Sequence, residues 1–209
     1  LEIAAAALRE AGHMEGLSAA LNNLALVDTE CGDFEGARRR AEESLAISRE
    51  LGDTKGILVS LQCLGSMSME FDDRQKARAY FEEALELARG MGHAYAEAVI
   101  LGDLGHVEFC DGELESAWGR QQQVLALQRA MGDQEGLYTT YTRLGLIAFA
   151  KGHYVEARSL HADSLRARAR LGDIRHLRAC LERIAEVDCA LERWRSAATI
   201  SAAASALAA

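Results

Sequence analysis

Five glycines, Gly12, Gly52, Gly92, Gly132 and Gly172, recur at a spacing of forty residues. Ala37, Ala77, Ala117, Ala157 and Ala197 keep the same step, and so do Leu24, Leu64, Leu104, Leu144 and Ile184. A fixed period of about 20–50 residues marks a solenoid, in which one small unit cannot bury its apolar face alone and stacks on copies of itself. For a chain of 209 residues this overrides the one or two globular domains that length alone supports. The expected organisation is a single solenoid domain, 1–209. A partial unit, 1–11, precedes repeats 12–51, 52–91, 92–131, 132–171 and 172–209.

The unit 52–91 shows what repeats. Ile57, Leu58, Leu61, Leu64, Gly65 and Met67 follow a helical period. A break follows at Phe71-Asp72-Asp73, and a second helical run holds Ala77, Tyr80, Phe81, Ala84, Leu85, Leu87 and Ala88. Gly90-Met91-Gly92-His93 then reads as a turn. Each unit is therefore helix, turn, helix, turn, with helices of about 17 residues or roughly 25 Å.

Turn chemistry agrees. Gly32, Gly112 and Gly152 stand where the first helix ends and a left-handed residue is wanted. Asp33 is placed to cap the second helix. Gly52-Asp53, Gly132-Asp133 and Gly172-Asp173 repeat this between units, and His13 and His93 replace the aspartate as caps or solvent-facing residues. Asp72 and Glu192 replace the within-unit glycine, so those two turns are expected to differ. Gly65, Gly105 and Gly145, with Ala25 and Ala185 in register, predict close helix approach. Trp118 and Trp194 read as packing residues at helix crossings.

Composition narrows function. The net charge is -9 and the pI about 5.2, which argues against sequence-independent nucleic-acid binding. Arg158, Arg166, Arg168, Arg170, Arg175, Arg178, Arg183, Arg193 and Arg195 enrich the last third, and such runs usually form a solvated outer face. No stretch reaches the roughly 18 apolar residues of a membrane span, and the start lacks a signal-peptide pattern. Five cysteines without CxxC spacing fit free thiols in a reducing cytoplasm. The chain has no proline and does not begin with methionine. It reads as a segment of a larger protein.

Leu64-Gly65, Asp72, Ala77 and Ala84-Leu85 resemble the tetratricopeptide repeat. So do Leu104-Gly105, Gly112, Leu114, Ala117 and Leu125, and Leu144-Gly145, Gly152, Tyr154, Ala157 and Leu165. The resemblance covers essentially the whole chain. Its departures, a forty-residue period and no terminal proline, resemble a longer-helix subclass. That subclass is found in large ATP-binding bacterial transcription regulators of the maltose- and antibiotic-regulator kind, and in cell-polarity adaptors. The excess of arginine over lysine suggests a GC-rich bacterial source. HEAT-like pairs share the period but lack the Gly–small–Ala pattern. The resemblance implies an all-α, right-handed superhelical solenoid of about five stacked antiparallel helix pairs.

It also implies a concave groove lined by first helices. Carried over by register, the groove positions include Asn22, Leu26, Val59, Gln62, Ser66, Met69, Val99, His106, Phe109, Thr142, Leu146, Phe149, Glu182 and Glu186. This lining holds no lysine or arginine, so no clamp for a peptide carboxylate is expected. Its middle is apolar, and Glu30, Glu70, Glu182 and Glu186 flank it, which suits a neutral or basic peptide or an amphipathic helix. His106 and Cys110, four apart, are too few for a metal site. Glu182 and Glu186 lack the closed pocket that acid–base work needs. No P-loop, nucleophile elbow or dinucleotide motif is present. The expected function is therefore binding of a protein or peptide, without catalysis, metal or cofactor. The alternative is a sensor segment of an ATP-binding regulator, holding an effector or its own ATPase domain. Ile3 to Leu8 and Ile200 to Ala209 carry no charge, so end-to-end self-association is expected of these helices.

Overall fold

The computed structural model describes residues 2–172 and 174–207, without the side chains of 30, 174 and 175. Among the described residues there are eleven α-helices and no strand. They are α1 (Glu2–Glu10), α2 (Met14–Cys31), α3 (Phe34–Leu51), α4 (Thr54–Glu70), α5 (Arg74–Gly90), α6 (Ala94–Cys110), α7 (Leu114–Met131), α8 (Gln134–Ala150), α9 (Tyr154–Arg170), α10 (Ile174–Ala190) and α11 (Trp194–Ala206). The pairs α2/α3, α4/α5, α6/α7, α8/α9 and α10/α11 are the five repeats. Helices α2 to α10 run 17 or 18 residues, as the forty-residue period predicts.

Two compact units result, Leu1–Val107 and Glu108–Ala209, dividing within α6. In unit 1, α2 packs on α3, α3 on α4 and α4 on α5, and α2 also touches α4. In unit 2, α7 packs on α8, α8 on α9, α9 on α10, and α10 on α11.

The turns repeat one backbone solution. Gly32 stands at φ 81°, its N–H bonds Thr29 O at 3.1 Å, and Asp33 N–H reaches back to Asp28 O at 2.8 Å. The left-handed residue lets both bonds close on orphan carbonyls of the helix end. Asp33 Oδ1 then accepts from Gly36 N–H at 2.9 Å and caps α3. His13 and His93 cap α2 and α6 the same way, their Nδ1 atoms accepting from Gly16 N–H at 3.0 Å and Ala96 N–H at 3.2 Å. Asp53 and Asp133 also cap, while Asp173 lies outside the described residues.

Asp72 and Glu192 correct one expectation. Both take the left-handed conformation of the glycines they replace, at φ 56° and 58°. The next N–H in each turn still closes its bond, Asp73 to Ser68 O and Arg193 to Asp188 O, each at 2.8 Å. The turn's hydrogen bonds set the shape, and a side chain in this region costs roughly 1–2 kcal/mol.

Packing explains the small residues. Ala37, Ala77, Ala117 and Ala157 are sealed from solvent. A Cβ at Gly65 would lie 2.5 Å from the Phe81 ring, and one at Gly145 2.5 Å from the His161 ring. Trp118 packs on the Ala148, Ala157 and Val187 cluster as expected. Trp194 does not: it is 64% exposed, because no described residue closes over the start of α11.

Candidate binding surface

In unit 1 the first helices of two successive hairpins, α2 and α4, enclose a cleft of about 300 Å³. Ser18, Ala19 and Asn22 line it from α2, and Val59 from α4, with Asp53 and Lys55 from the start of α4. Beneath it lies a layer of buried hydroxyls. Ser18 Oγ is 2.8 Å from Ser44 Oγ and 2.7 Å from Ser48 Oγ, and Ser44 Oγ donates to Ser18 O at 2.9 Å. Ser60 Oγ donates to Asn22 Oδ1 at 3.1 Å. That bond engages the Asn22 amide oxygen, and the residue itself lines the cleft.

Other groove positions of unit 1 are open. Leu26 is 53% exposed, Val59 41% and Val99 36%. Ser66 and His106 are exposed, and Gln62 and Met69 half-buried. Lys55 corrects the expectation of a lining without cations, and among the described residues it carries no ion pair. It escapes the register because it stands one turn before the first groove position of α4.

Unit 2 uses its groove positions differently. Thr142 Oγ1 lies 2.9 Å from Tyr138 O and 2.8 Å from Ser164 Oγ. The Phe149 ring packs on Tyr154 with centroids 5.3 Å apart and joins the Ala148, Ala157 and Val187 cluster. Glu182 accepts from Arg178 Nε at 2.7 Å and Glu186 from Arg183 Nη1 at 3.0 Å. Phe109 and Leu146 are half-buried. The acidic flank expected at Glu182 and Glu186 is thus largely neutralised on its own helix, and the Glu30 side chain lies outside the described residues.

Comparison with known proteins agrees with this architecture. Residues 17–51, which are α2 and α3, match the tetratricopeptide repeat family. The fold is that of the tetratricopeptide repeat. Residues 58–101 match the family model of anaphase-promoting complex subunit 5. Among solved structures, BtubC (BKLC) from P. vanneervenii superposes with a TM-score of 0.88 at 18% identity, covering 99% of this chain and 87% of that one. The tetratricopeptide-like repeats of a putative kinesin light chain from Podosopora anserina give 0.75 at 17% identity, covering 90% and 93%. A Signal Transduction ATPase with Numerous Domains from Pyrococcus horikoshii, which has a tetratricopeptide repeat sensor, gives 0.75 at 16% identity, covering 82% of this chain and 27% of that one. No curated protein sequence matches the chain.

Within these tetratricopeptide hairpins several polar residues are buried or half-buried that neither motif nor groove register singles out. Asp28 pairs with Arg40 at 2.6 Å and Glu108 with Arg120 at 2.9 Å. The two pairs stand two periods apart, a signal present in the sequence. Asp188, sealed from solvent, accepts from Arg158 Nε and from Ser196 Oγ, each at 2.6 Å. The Arg158 guanidinium, helped by that hydroxyl, holds the Asp188 carboxyl below the usual carboxylate range, and the pairing raises Arg158 in turn. His161 is pushed down to about 4, first by burial and then by the charge of Arg183. Burial pushes the Cys63 thiol up, and none of the five cysteines forms a disulfide. Among the described residues no group of three or more His, Cys, Asp or Glu could hold a metal ion. Among them also no helix is long and apolar enough to cross a membrane.

Proposed function

We propose that this chain is a scaffold segment of a larger cytoplasmic bacterial protein, and that unit 1 holds a partner by an extended peptide laid across α2 and α4. The observation that carries this reading is the cleft with the Asn22 amide held by Ser60 in its wall. A backbone carbonyl of the ligand accepts from Asn22. An apolar side chain rests on Val59 and Leu26, and Gln62, Ser66 and Met69 flank the path. Main-chain bonds of this kind give affinity, while side-chain seats give specificity. Lys55 stands beside Asp53, so the cleft is close to neutral there, and one lysine so placed does not make a carboxylate clamp. We place the anchoring contacts in unit 1 because Thr142, Phe149, Glu182 and Glu186 are already engaged. His106, in the same unit, is a secondary contact. The work of such a surface is binding, and no direct role with nucleic acid or membrane is assigned to it.

A second reading is favoured by the likeness to the tetratricopeptide repeat sensor of the Pyrococcus horikoshii ATPase. In this reading the present chain belongs to an ATP-binding transcription regulator of the longer-repeat subclass. Its cleft then takes a small effector or the regulator's own ATPase domain.

Panning a displayed random-peptide library against the 209-residue chain tests the first reading. Selected peptides, measured by fluorescence anisotropy, lose more than about tenfold in affinity to Val59→Glu, which is about 1.4 kcal/mol. Leu146→Glu changes affinity far less. Peptides indifferent to Val59→Glu, or no selected peptide at all, end this assignment.

A further inference from the structure

Contacts between successive hairpins in unit 2 are matched in chemistry. Arg158 of α9 meets Asp188 of α10, with Nε to Oδ1 at 2.6 Å and Nη2 to Oδ2 at 3.3 Å. Ser196 Oγ of α11 donates to the same carboxylate at 2.6 Å, and Asp188 is sealed from solvent. One period earlier the first two positions hold Trp118 and Ala148, which pack in one apolar cluster. Cation meets carboxylate in one contact, and apolar group meets apolar group in the other.

Three periods before Arg158, Asp188 and Ser196 stand Arg38, Ser68 and Lys76, all in unit 1. Here the match fails. The carboxylate has become a hydroxyl, and the hydroxyl has become a second cation. Ser68 Oγ donates to Leu64 O at 2.8 Å, a bond within its own helix. Where Asp188 fills its contact, a cavity of about 100 Å³ remains beside Ser68, with Arg38 and Lys76 both on its wall.

The rest of the wall narrows what could enter. Leu64 and Phe71 are its apolar part, and Glu42 and Asp73 its acidic part. Arg38 Nη2 lies 2.8 Å from Glu35 Oε2, and Lys76 Nζ lies 2.7 Å from Asp73 Oδ2. Exposed pairs of this kind are weak, and a guanidinium has five donors, so one such bond leaves Arg38 able to bind more. The Asp73 carboxylate raises the Lys76 pKa, while Arg38 is near enough to act against it. One carboxylate placed between these two cations would relieve that repulsion, as a charge-assisted pair of the kind Asp188 makes. Glu42 and Asp73 disfavour a second negative charge, and the apolar wall suits a short hydrocarbon tail.

We propose that this cavity binds a short aliphatic monocarboxylate, its carboxylate lying between Arg38 and Lys76 in the place that Asp188 takes in unit 2. The site is formed by α3, α4 and α5 and is separate from the cleft between α2 and α4.

Titration of propionate into the full chain tests this, followed through the arginine Nε–H signals by nuclear magnetic resonance at constant ionic strength. The Arg38 signal, identified by its loss in Arg38→Gln, shifts saturably with a millimolar midpoint, and the Arg158 signal stays in place. Inorganic phosphate at neutral pH shifts the Arg38 signal only weakly. Ser68→Asp supplies the carboxylate from within, so propionate binding falls at least about tenfold. In that variant the Arg38 signal already stands near its saturated position before ligand is added. Lys76→Gln changes an exposed residue, so helicity by circular dichroism stays as in the parent, and propionate binding weakens severalfold. An Arg38 signal that propionate leaves unmoved overturns the proposal. So does phosphate that binds as tightly as propionate, or a folded Ser68→Asp or Lys76→Gln chain that binds propionate as the parent does.

Discussion

The two units are assembled from the same hairpin, yet they bury different chemistry. Unit 1 fills the space between α2, α3 and α4 with neutral hydroxyls, Ser18, Ser44, Ser48 and Ser60, and leaves its Asp28–Arg40 pair partly open to water. Unit 2 seals ionisable groups, Glu108, Asp188 and His161, inside its contacts. One seat shows the contrast directly. Gly65 rests on Phe81 in unit 1, and two periods later Gly145 rests on His161. The outward faces differ as well, with Leu26 and Val59 open in unit 1 and Thr142 and Phe149 engaged in unit 2. A repeat fold fixes where side chains point, and the local partners decide whether a given position binds a ligand, holds the fold or senses protons.

The largest effect that could break this comparison is loss of a buried charge partner. Asp188→Ala strands Arg158 and unbinds Ser196. Removing one member of a buried pair costs about 3–5 kcal/mol. Arg158 keeps 34% of its side chain in water, so about 2–3 kcal/mol is expected here. In unit 1, Ser60→Ala removes a neutral hydroxyl and costs about 1 kcal/mol. Urea denaturation of both variants checks this, and equal losses would erase the distinction between the two interiors.

Acid sharpens the comparison next. His161 titrates at about 4 in the folded chain against 6.5 ordinarily, so between those values the unfolded chain binds the extra proton. Its contribution is therefore complete above pH 6.5 and is lost as pH falls toward about 4. At about 1.4 kcal/mol per pH unit the loss approaches about 3 kcal/mol. Asp188, whose pKa is lowered by Arg158, adds its own loss only at still lower pH. His161→Phe supplies the residue that unit 1 has in that register and removes the dependence between pH 6.5 and 4. Stability curves of parent and variant that run parallel through that range would place the proton-sensitive group elsewhere.

Much of this architecture is legible in the chain because the repeat restates each constraint. The glycines mark a left-handed turn residue, the alanines a sealed crossing, and Asp33 or His13 a cap, each visible several times over. Asp72 and Glu192 mislead a reader of sequence because glycine is the usual solution, whereas the hydrogen bonds around the turn are the actual requirement. The site is less legible. Register places Val59 and Phe149 alike among apolar groove positions, but Tyr154 packs on the Phe149 ring whereas Val59 stays exposed. Lys55 reaches the cleft from a turn that groove register ignores. Ser44, Ser48 and Ser60 look like surface residues until α3 and α4 are set face to face. Pairing partners across hairpins are non-local facts, and periodicity speaks only for one hairpin at a time.

The smallest effect discriminates between the two strained turns. Replacing a left-handed side chain by glycine removes steric cost but loosens the unfolded chain, so the net gain is a fraction of the roughly 1–2 kcal/mol at stake. For Glu192→Gly, where among the described residues no ion pair is lost, a gain of about 0.5–1 kcal/mol is expected. Asp72 also pairs with Arg74 at 2.7 Å, and aspartate tolerates this region better than glutamate. An exposed pair contributes up to about 1 kcal/mol, so Asp72→Gly should gain little or nothing. The order of the two urea midpoints is the measurement. If Asp72→Gly were the more stabilising, the pair with Arg74 would be holding the turn in strain, and unit 1 would carry the tighter turn of the two.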